Sequence, residues 1–374
     1  MPRRIALLFE YPTLNGGERS MLQTLELLDS REFEIIALAP TAGPLAEALR
    51  AHSIRHVPFS LRDADDVRLP REQACEQLVE SIRNQAPDLL HANSLSMGRL
   101  TGAVAEQLAI PCVAHLRDIV GLSRSAIRDL NQNRALIAVS QATRDFHVAQ
   151  GLSAARTRVM LNGIDSDRFQ PRPKTHTLCR ELNVPETSFI VLMVGQIGLR
   201  KGQDVLAAAA RPIAEALPQV QFVIVGERNS SKDETIAYEA NLETEFASAG
   251  LGDRFHKLGY RDDVDHLMNE ADLLVHPAKQ EPLGRVLLEA AASGLPIVAT
   301  HVGGTTEIVT DSTSARLIAP NNHVQLAGAV IGLAADKRLR ERLAAAARRR
   351  VTSDFTPRAV ADKMAEVWRQ ALTD

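Results

Sequence analysis

The sequence predicts an α/β protein made of two lobes, each built on a parallel sheet. Three observations carry that expectation. The chain has 374 residues, 45% of them hydrophobic and 24% charged, which is room for two globular domains of ordinary size. Apolar runs of strand length alternate with segments of helical periodicity, and this alternation is what a parallel sheet with crossover helices needs. Several runs turn polar at their C-terminal ends, the side on which open α/β sheets bind ligands.

The elements follow in order. RRIALLFEY, starting at Arg3, reads as a first strand. Asn15, Gly16 and Gly17 then make a turn, and Met21, Leu22, Leu25 and Leu28 recur with helical spacing. A glycine pair at a strand-to-helix turn lets a ligand come close to the backbone. Residues 33–40 are a second strand, 43–54 a helix, 56–60 a third short strand and 71–87 a charged amphipathic helix. DLLHANS and IPCVAHLRD are further strands whose ends put His91, Asn93, His115, Arg117 and Asp118 on the binding side. A strand and helix over 135–151 follow, with Ser140 as the N-cap. The stretches 58–72 and 117–135 are expected to be loops; the second carries Arg117, Arg124, Arg128 and Arg134.

PRPK, residues 171–174, reads as a linker, so the expected division is a first domain over 1–170 and a second over 175–355. In the second domain FIVLMVGQ, QVQFVIVGE, RFHKLGY, DLLVHP, LPIVATHVGG and ARLIAP are strands. Residues 356–374 form a last amphipathic helix.

Composition bounds the function. A net charge of −3 and an aromatic content of 4% argue against nucleic acid as a partner. No run of about 20 apolar residues is present to span a bilayer. Cys75, Cys112 and Cys179 are widely spaced and odd in number, which fits a reducing, cytoplasmic setting.

One stretch organises the rest. HPAKQEPLGRVLLE runs from His276 to Glu289: a strand end, a turn holding Glu281, Pro282, Leu283 and Gly284, then a helix starting near Arg285. The unpaired amides at a helix start suit a phosphate. Two acids eight residues apart could each hold sugar hydroxyls on either side of it.

This Glu-x(7)-Glu pattern with its Pro-x-Gly turn resembles the donor-binding motif of retaining GT-B glycosyltransferases of family 4. NGGER resembles that family's GGxER loop, and residues 162–171 resemble the segment that ends its first domain. The resemblance implies a GT-B fold, two Rossmann-like parallel-sheet domains facing a central cleft, with acceptors bound by the first domain and the nucleotide sugar by the second. It also implies that the last helix packs back on the first domain. The implied reaction moves a hexose, with retention, from a nucleotide-diphosphate sugar, UDP-hexose by family frequency, to a hydroxyl of a glycan, lipid-linked or small-molecule acceptor. The implied catalytic residues are His115, Lys201 and Glu281. The implied nucleotide-sugar residues are Gly16, Gly17, Gln196, Arg200, Lys201, Gly226 and Tyr260, and from the second motif onward Glu281, Leu283, Gly284, Arg285, Glu289, Gly304 and Thr305.

Two departures are visible. Gln196 stands where the family has an arginine, with Arg200 as a substitute, and His301 stands where the family often has an aspartate. No Asp-x-Asp pair precedes a strand end, and DADD (Asp63 to Asp66) lies in a loop, so neither metal nor cofactor is expected. A non-catalytic sugar-nucleotide-binding relative and a GT-B epimerase stay open as alternatives, as does peripheral contact with the inner face of a membrane. Oligomeric state and acceptor identity are not readable.

Overall fold

The structure, a computed structural model, describes residues 1–63, 65–228 and 230–373; Ala64 of the DADD run, Asn229 and the terminal Asp374 lie outside the described residues. The chain divides into two compact units, Met1–Gly163 with Pro357–Asp374, and Ile164–Thr356.

In the first unit the strands are β1 (Arg3–Leu8), β2 (Phe33–Ala39), β3 (Arg55–Pro58), β4 (Leu89–Ala92), β5 (Cys112–Leu116), β6 (Ala135–Ala138) and β7 (Thr157–Val159). Between them run α1 (Gly16–Leu25), α2 (Pro44–Ala51), α3 (Arg71–Gln85), α4 (Leu95–Leu108), α5 (Arg124–Asn131) and α6 (Gln141–Ala149). The sheet order is β3-β2-β1-β4-β5-β6-β7, with every pairing parallel. Both faces are covered, which is why the strands read as nearly unbroken apolar runs. Ile5, Leu7 and Phe9 point into one core, and Ala6 and Leu8 into the other, following the two-residue alternation of a strand.

The last helix of the chain, Pro357–Thr373, belongs to this unit. Val360, Met364, Val367, Trp368 and Ala371 recur with helical spacing and fill the core beside α1. Trp368 is fully buried. It meets Phe33 edge-on at 5.3 Å and donates its indole N–H to His91 Nδ1 at 2.9 Å.

Helix α4 packs backbone to backbone on α5. A Cβ on Gly102 would lie 1.8 Å from the Asp129 carbonyl oxygen, and one on Gly98 would lie 2.6 Å from the Ala114 Cβ. Gly102→Ala is therefore expected to destabilise this unit by about 3 kcal/mol, the upper end for overpacking, because backbone must move to admit one methyl. The chain's single tryptophan, Trp368, sits in the same unit, so its fluorescence during urea unfolding measures the loss.

The second unit holds β8 (Phe189–Val194), β9 (Val220–Val225), β10 (Phe255–Lys257), β11 (Leu273–His276), β12 (Ile297–Thr300) and β13 (Arg316–Ile318). Its helices are α7 (Thr177–Glu181), α8 (Gln203–Ala216), α9 (Asp233–Ser248), α10 (Val264–Glu270), α11 (Arg285–Ala292), α12 (Thr305–Ile308), α13 (His323–Ala335) and α14 (Lys337–Asp354); α15 is the returning helix Pro357–Thr373. The sheet is parallel, in the order β10-β9-β8-β11-β12-β13.

Two details differ from the sequence reading. The division falls after Gly163, and residues 171–174 are tied into the second unit. The Arg172 amide donates to Asn269 Oδ1 at 2.6 Å, its guanidinium meets Asp265 at 3.0 Å, and Lys174 meets Asp272 at 2.6 Å. Cations that read as a solvated linker have acidic partners on α10 and at the start of β11. Segment 117–135 is also not all loop. Ser123 caps α5 by accepting from the Ala126 amide at 3.2 Å, and the helix buries Ala126 and Leu130 one turn apart.

Candidate functional site

The second sheet changes winding direction between β8 and β11. From β8 the chain proceeds to β9 and β10 on one side, and from β11 to β12 and β13 on the other. The loops that leave these two neighbours diverge, and a crevice opens between their starts. The first loop carries Lys201 and the second carries Glu281. Gly202 is what allows the loops to touch. Its φ is +79°, and a Cβ there would lie 2.0 Å from the Pro277 carbonyl oxygen. The Lys279 amide then donates to the Arg200 carbonyl at 2.8 Å.

The result is a buried ionic cluster. Lys201 Nζ lies 2.6 Å from Glu281 Oε2, and His276 Nε2 lies 2.9 Å from the same oxygen. The Glu281 residue is 5% exposed and His276 1%. Burial pushes the Glu281 carboxyl up, but the Lys201 charge and the His276 hydrogen bond outweigh it and hold it well below the usual carboxylate range. A carboxylate only accepts, so His276 donates through Nε2. Burial lowers the His276 pKa; the Glu281 bond opposes that, and the charges of Lys201 and Arg200 add to it. The imidazole is thus a neutral donor that fixes the carboxylate.

Past Glu281 the chain turns through Gly284, at φ +102°, into α11. A Cβ there would strike Leu287 Cδ1 at 2.8 Å. The amides of the first helical turn face outward from this point with the positive end of the helix dipole. Arg285 Nε donates to Glu289 Oε1 at 2.8 Å, which aims both side chains along one face. The Gly304 amide donates to the Glu281 carbonyl at 2.9 Å. Gly304 is packed so closely that a Cβ would lie 2.4 Å from the Pro282 carbonyl oxygen. Three buried polar atoms on these segments, His276 Nδ1, Arg285 Nη1 and Thr305 Oγ1, have no hydrogen-bond partner among the described residues. Buried orphans of this kind are what a polar ligand would satisfy.

The remaining expected residues distribute as follows. Gln196 and Arg200 are exposed on the loop after β8. Gly226 follows β9, with φ +134°, against the Gly195 carbonyl. Tyr260 is exposed, donates its hydroxyl to Asp262 at 2.8 Å and follows the edge strand β10, two strands from β8 at the switch point. The Leu283 side chain is buried, so its backbone is what it can offer a ligand. His276 had no role in the sequence reading, although it ends β11 five residues before Glu281.

Gly16, Gly17 and His115 lie in the first unit, whose sheet has its own switch point between β1 and β4. Gly16 and Gly17 open α1. A Cβ on Gly17 would lie 2.9 Å from Arg117 Cδ. Arg117 donates to the Asn93 side chain at 2.8 Å and to His115 Nδ1 at 3.2 Å. His115 therefore carries its proton on Nε2, a buried atom without a partner among the described residues. Burial, then the Arg117 charge, hold His115 well below its ordinary pKa, and the same two causes lower His91 to about 3.

Among the described residues no group of three or more His, Cys, Asp or Glu side chains could hold a metal ion. No described helix is long and apolar enough to cross a membrane.

Comparison with known proteins agrees with this geometry. The model of Glycosyltransferase Family 4 matches residues 14–168, and that of Glycosyl transferases group 1 matches residues 176–350. The chain is 26% identical over 345 residues to UDP-Gal:alpha-D-GlcNAc-diphosphoundecaprenol alpha-1,3-galactosyltransferase of Escherichia coli, covering 87% of this chain and 86% of that one. It is 26% identical over 379 residues to the GDP-mannose-dependent alpha-mannosyltransferase of Mycobacterium tuberculosis, covering 95% and 93%. The crystal structure of HepE from Anabaena in complex with UDP and glucose superposes with a TM-score of 0.86 at 25% identity, covering 98% of this chain and 99% of that one. With two parallel-sheet units, a Lys–Glu–His cluster at the switch point of the second and both family models in sequence, the chain belongs to the family 4, group 1 glycosyltransferases of GT-B fold.

Proposed function

We propose that this glycosyltransferase moves a hexose, with retention, from a UDP-sugar to a hydroxyl of a glycan, lipid-linked or small-molecule acceptor. The observation that carries the proposal is the buried Lys201–Glu281–His276 cluster beside the first turn of α11. The amides of Gly284 and Arg285 at the start of α11, together with Lys201 and Arg200, would hold the diphosphate, whose negative charge grows as it leaves. Glu281 would accept hydrogen bonds from the hexose hydroxyls and stabilise the cationic transition state. Glu289 would hold the ribose hydroxyls. The bond from the anomeric carbon to the donor phosphate breaks as the bond to the acceptor oxygen forms on the same face, and the acceptor proton passes to the departing diphosphate. Fixed cations and amides serve the leaving group here without a metal. UDP is favoured because HepE was solved with UDP and glucose and the E. coli relative is named for UDP-Gal; the mycobacterial relative is named for GDP-mannose. Three free thiols fit a reducing, cytoplasmic compartment.

Thermal-shift titration with UDP, GDP and ADP, followed by hydrolysis assays on the matching sugar nucleotides, tests this reading. UDP should raise the melting temperature most, and a chain stabilised by none of the three would sink the proposal. The missing family arginine gives a sharper test. Arg200 stands next to Lys201 on the loop after β8, and its carbonyl accepts from the Lys279 amide of the facing loop, so Arg200→Gln should weaken UDP binding about tenfold, the size of one charge-assisted contact. Gln196→Arg should then change affinity little. A large gain from Gln196→Arg with no loss from Arg200→Gln would show that Arg200 does not supply the charge.

A further inference from the structure

The first unit contains a hollow apart from the His115 network. It measures about 180 Å³ and opens where the loop after β3 meets the starts of α3 and α4. Each water claims about 30 Å³, so the space suits a phosphate group and the first atoms of whatever bears it. Three arginines, Arg68, Arg71 and Arg99, are among the residues that line it. The floor between them is apolar, formed by Leu69, Met97 and Leu100.

These cations are unequally engaged. Arg71 is paired with Asp129 at 2.7 Å. Arg68 reaches only to 3.5 Å from the Ser96 hydroxyl and 3.8 Å from Glu10. Glu10 for its part accepts from the Ser94 hydroxyl at 3.1 Å. The Nε of Arg99 is buried with no hydrogen-bond partner among the described residues. A buried guanidinium N–H without an acceptor is costly, and an anion would relieve it. The hollow also abuts the first turn of the 14-residue helix α4, capped by Ser94, whose dipole favours negative charge.

We infer that this hollow is a phosphate subsite for an anionic acceptor, with Arg99 and Arg68 as its ligands and the apolar floor receiving the carbon chain or ring attached to the phosphate. The acceptor role rests on the transferase reading above; the phosphate site does not. The phosphate could belong to a soluble sugar phosphate or to a lipid-linked one. The residues concerned are positioning and specificity residues on the acceptor side.

The test uses the full chain and two probes, each with and without UDP: titration with glucose 1-phosphate, and co-sedimentation with phosphatidylcholine vesicles with and without phosphatidic acid. The wild type should bind at least one probe. Arg99→Met, which keeps the side-chain bulk, should weaken that binding about tenfold or more, and the more exposed Arg68→Gln should weaken it several-fold. A response confined to glucose 1-phosphate assigns a soluble source, and one confined to phosphatidic acid vesicles assigns a lipid source. If the wild type binds neither probe, or both variants bind like the wild type, the inference is overturned. Arg68→Gln decides the matter if Arg99→Met does not fold. UDP affinity on the same samples is a separate readout: phosphate binding that depends on Arg99 in a chain that ignores UDP would overturn the donor reading and leave this one standing.

Discussion

Lys201→Ala is expected to lower turnover by roughly 100-fold or more, the size seen when one charge contact to a transition state is removed. Two losses combine. The departing diphosphate loses a cation, and Glu281 loses the partner that keeps it ionised. Lys201 Nζ is 2.6 Å from the carboxylate, and the two side chains are 15% and 7% exposed. Burial by itself drives the Glu281 carboxyl upward; without Lys201 only the His276 bond opposes it. A carboxyl pushed upward in this way stabilises a cationic sugar less well. Breaking such a buried pair also costs about 3–5 kcal/mol of stability, which calorimetry of the second unit's transition would register. UDP affinity should fall together with turnover. Lys201→Arg keeps the charge on a bulkier, planar head, so it should recover more of the stability than of the rate. A Lys201→Ala enzyme with wild-type rate and wild-type UDP affinity would contradict the assignment.

Glu281→Gln is expected to reduce turnover by a similar factor, again roughly 100-fold or more, but with a different signature. Glutamine preserves shape and can still accept from Lys201 and His276. What disappears is the negative charge facing the hexose. UDP, which has no hexose, should bind within a few-fold of wild type, while the sugar nucleotide loses both affinity and rate. The pair of variants therefore separates diphosphate binding from stabilisation of the sugar cation. Equal damage to UDP binding in both would mean that Glu281 acts only as a strut for Lys201. The pH dependence has a definite sign. The folded pKa of Glu281 is depressed, so its contribution to stability is present above the unfolded carboxyl pKa and is lost as pH falls below that value towards the folded one. Glu281→Gln should flatten the acid limb of the stability curve.

The strands of both sheets were legible because buried parallel strands are almost continuously apolar, as in FIVLMV and VQFVIV. Their lateral order was not, since nothing in β8 or β11 says that they are neighbours. Gly284 and the helix after it were legible from turn chemistry. The partners of the acids were harder. Arg285 and Glu289 are four apart on one helix, a spacing that announces their bond. The Lys201–Glu281 contact spans 80 residues, and only the fold brings it together. His276 went unassigned because a histidine at a strand end has many uses, and only its 2.9 Å contact with Glu281 selects one. The stretch 171–174 misled because proline and charge signal a linker, while the acids that bind it lie on α10 and just before β11. Arg99 could not have been singled out, since an unpaired buried Nε is a property of packing.

In the proposed donor complex, Lys201 and the amino end of α11 together grip a diphosphate at the switch point of the second sheet. A crystal structure of the chain grown with UDP tests it most directly. Phosphate oxygens should lie within about 3 Å of Lys201 Nζ and of the first amides of α11, with Glu289 against the ribose. UDP bound elsewhere, with Lys201 and the α11 amides making no contact to either phosphate, would contradict it.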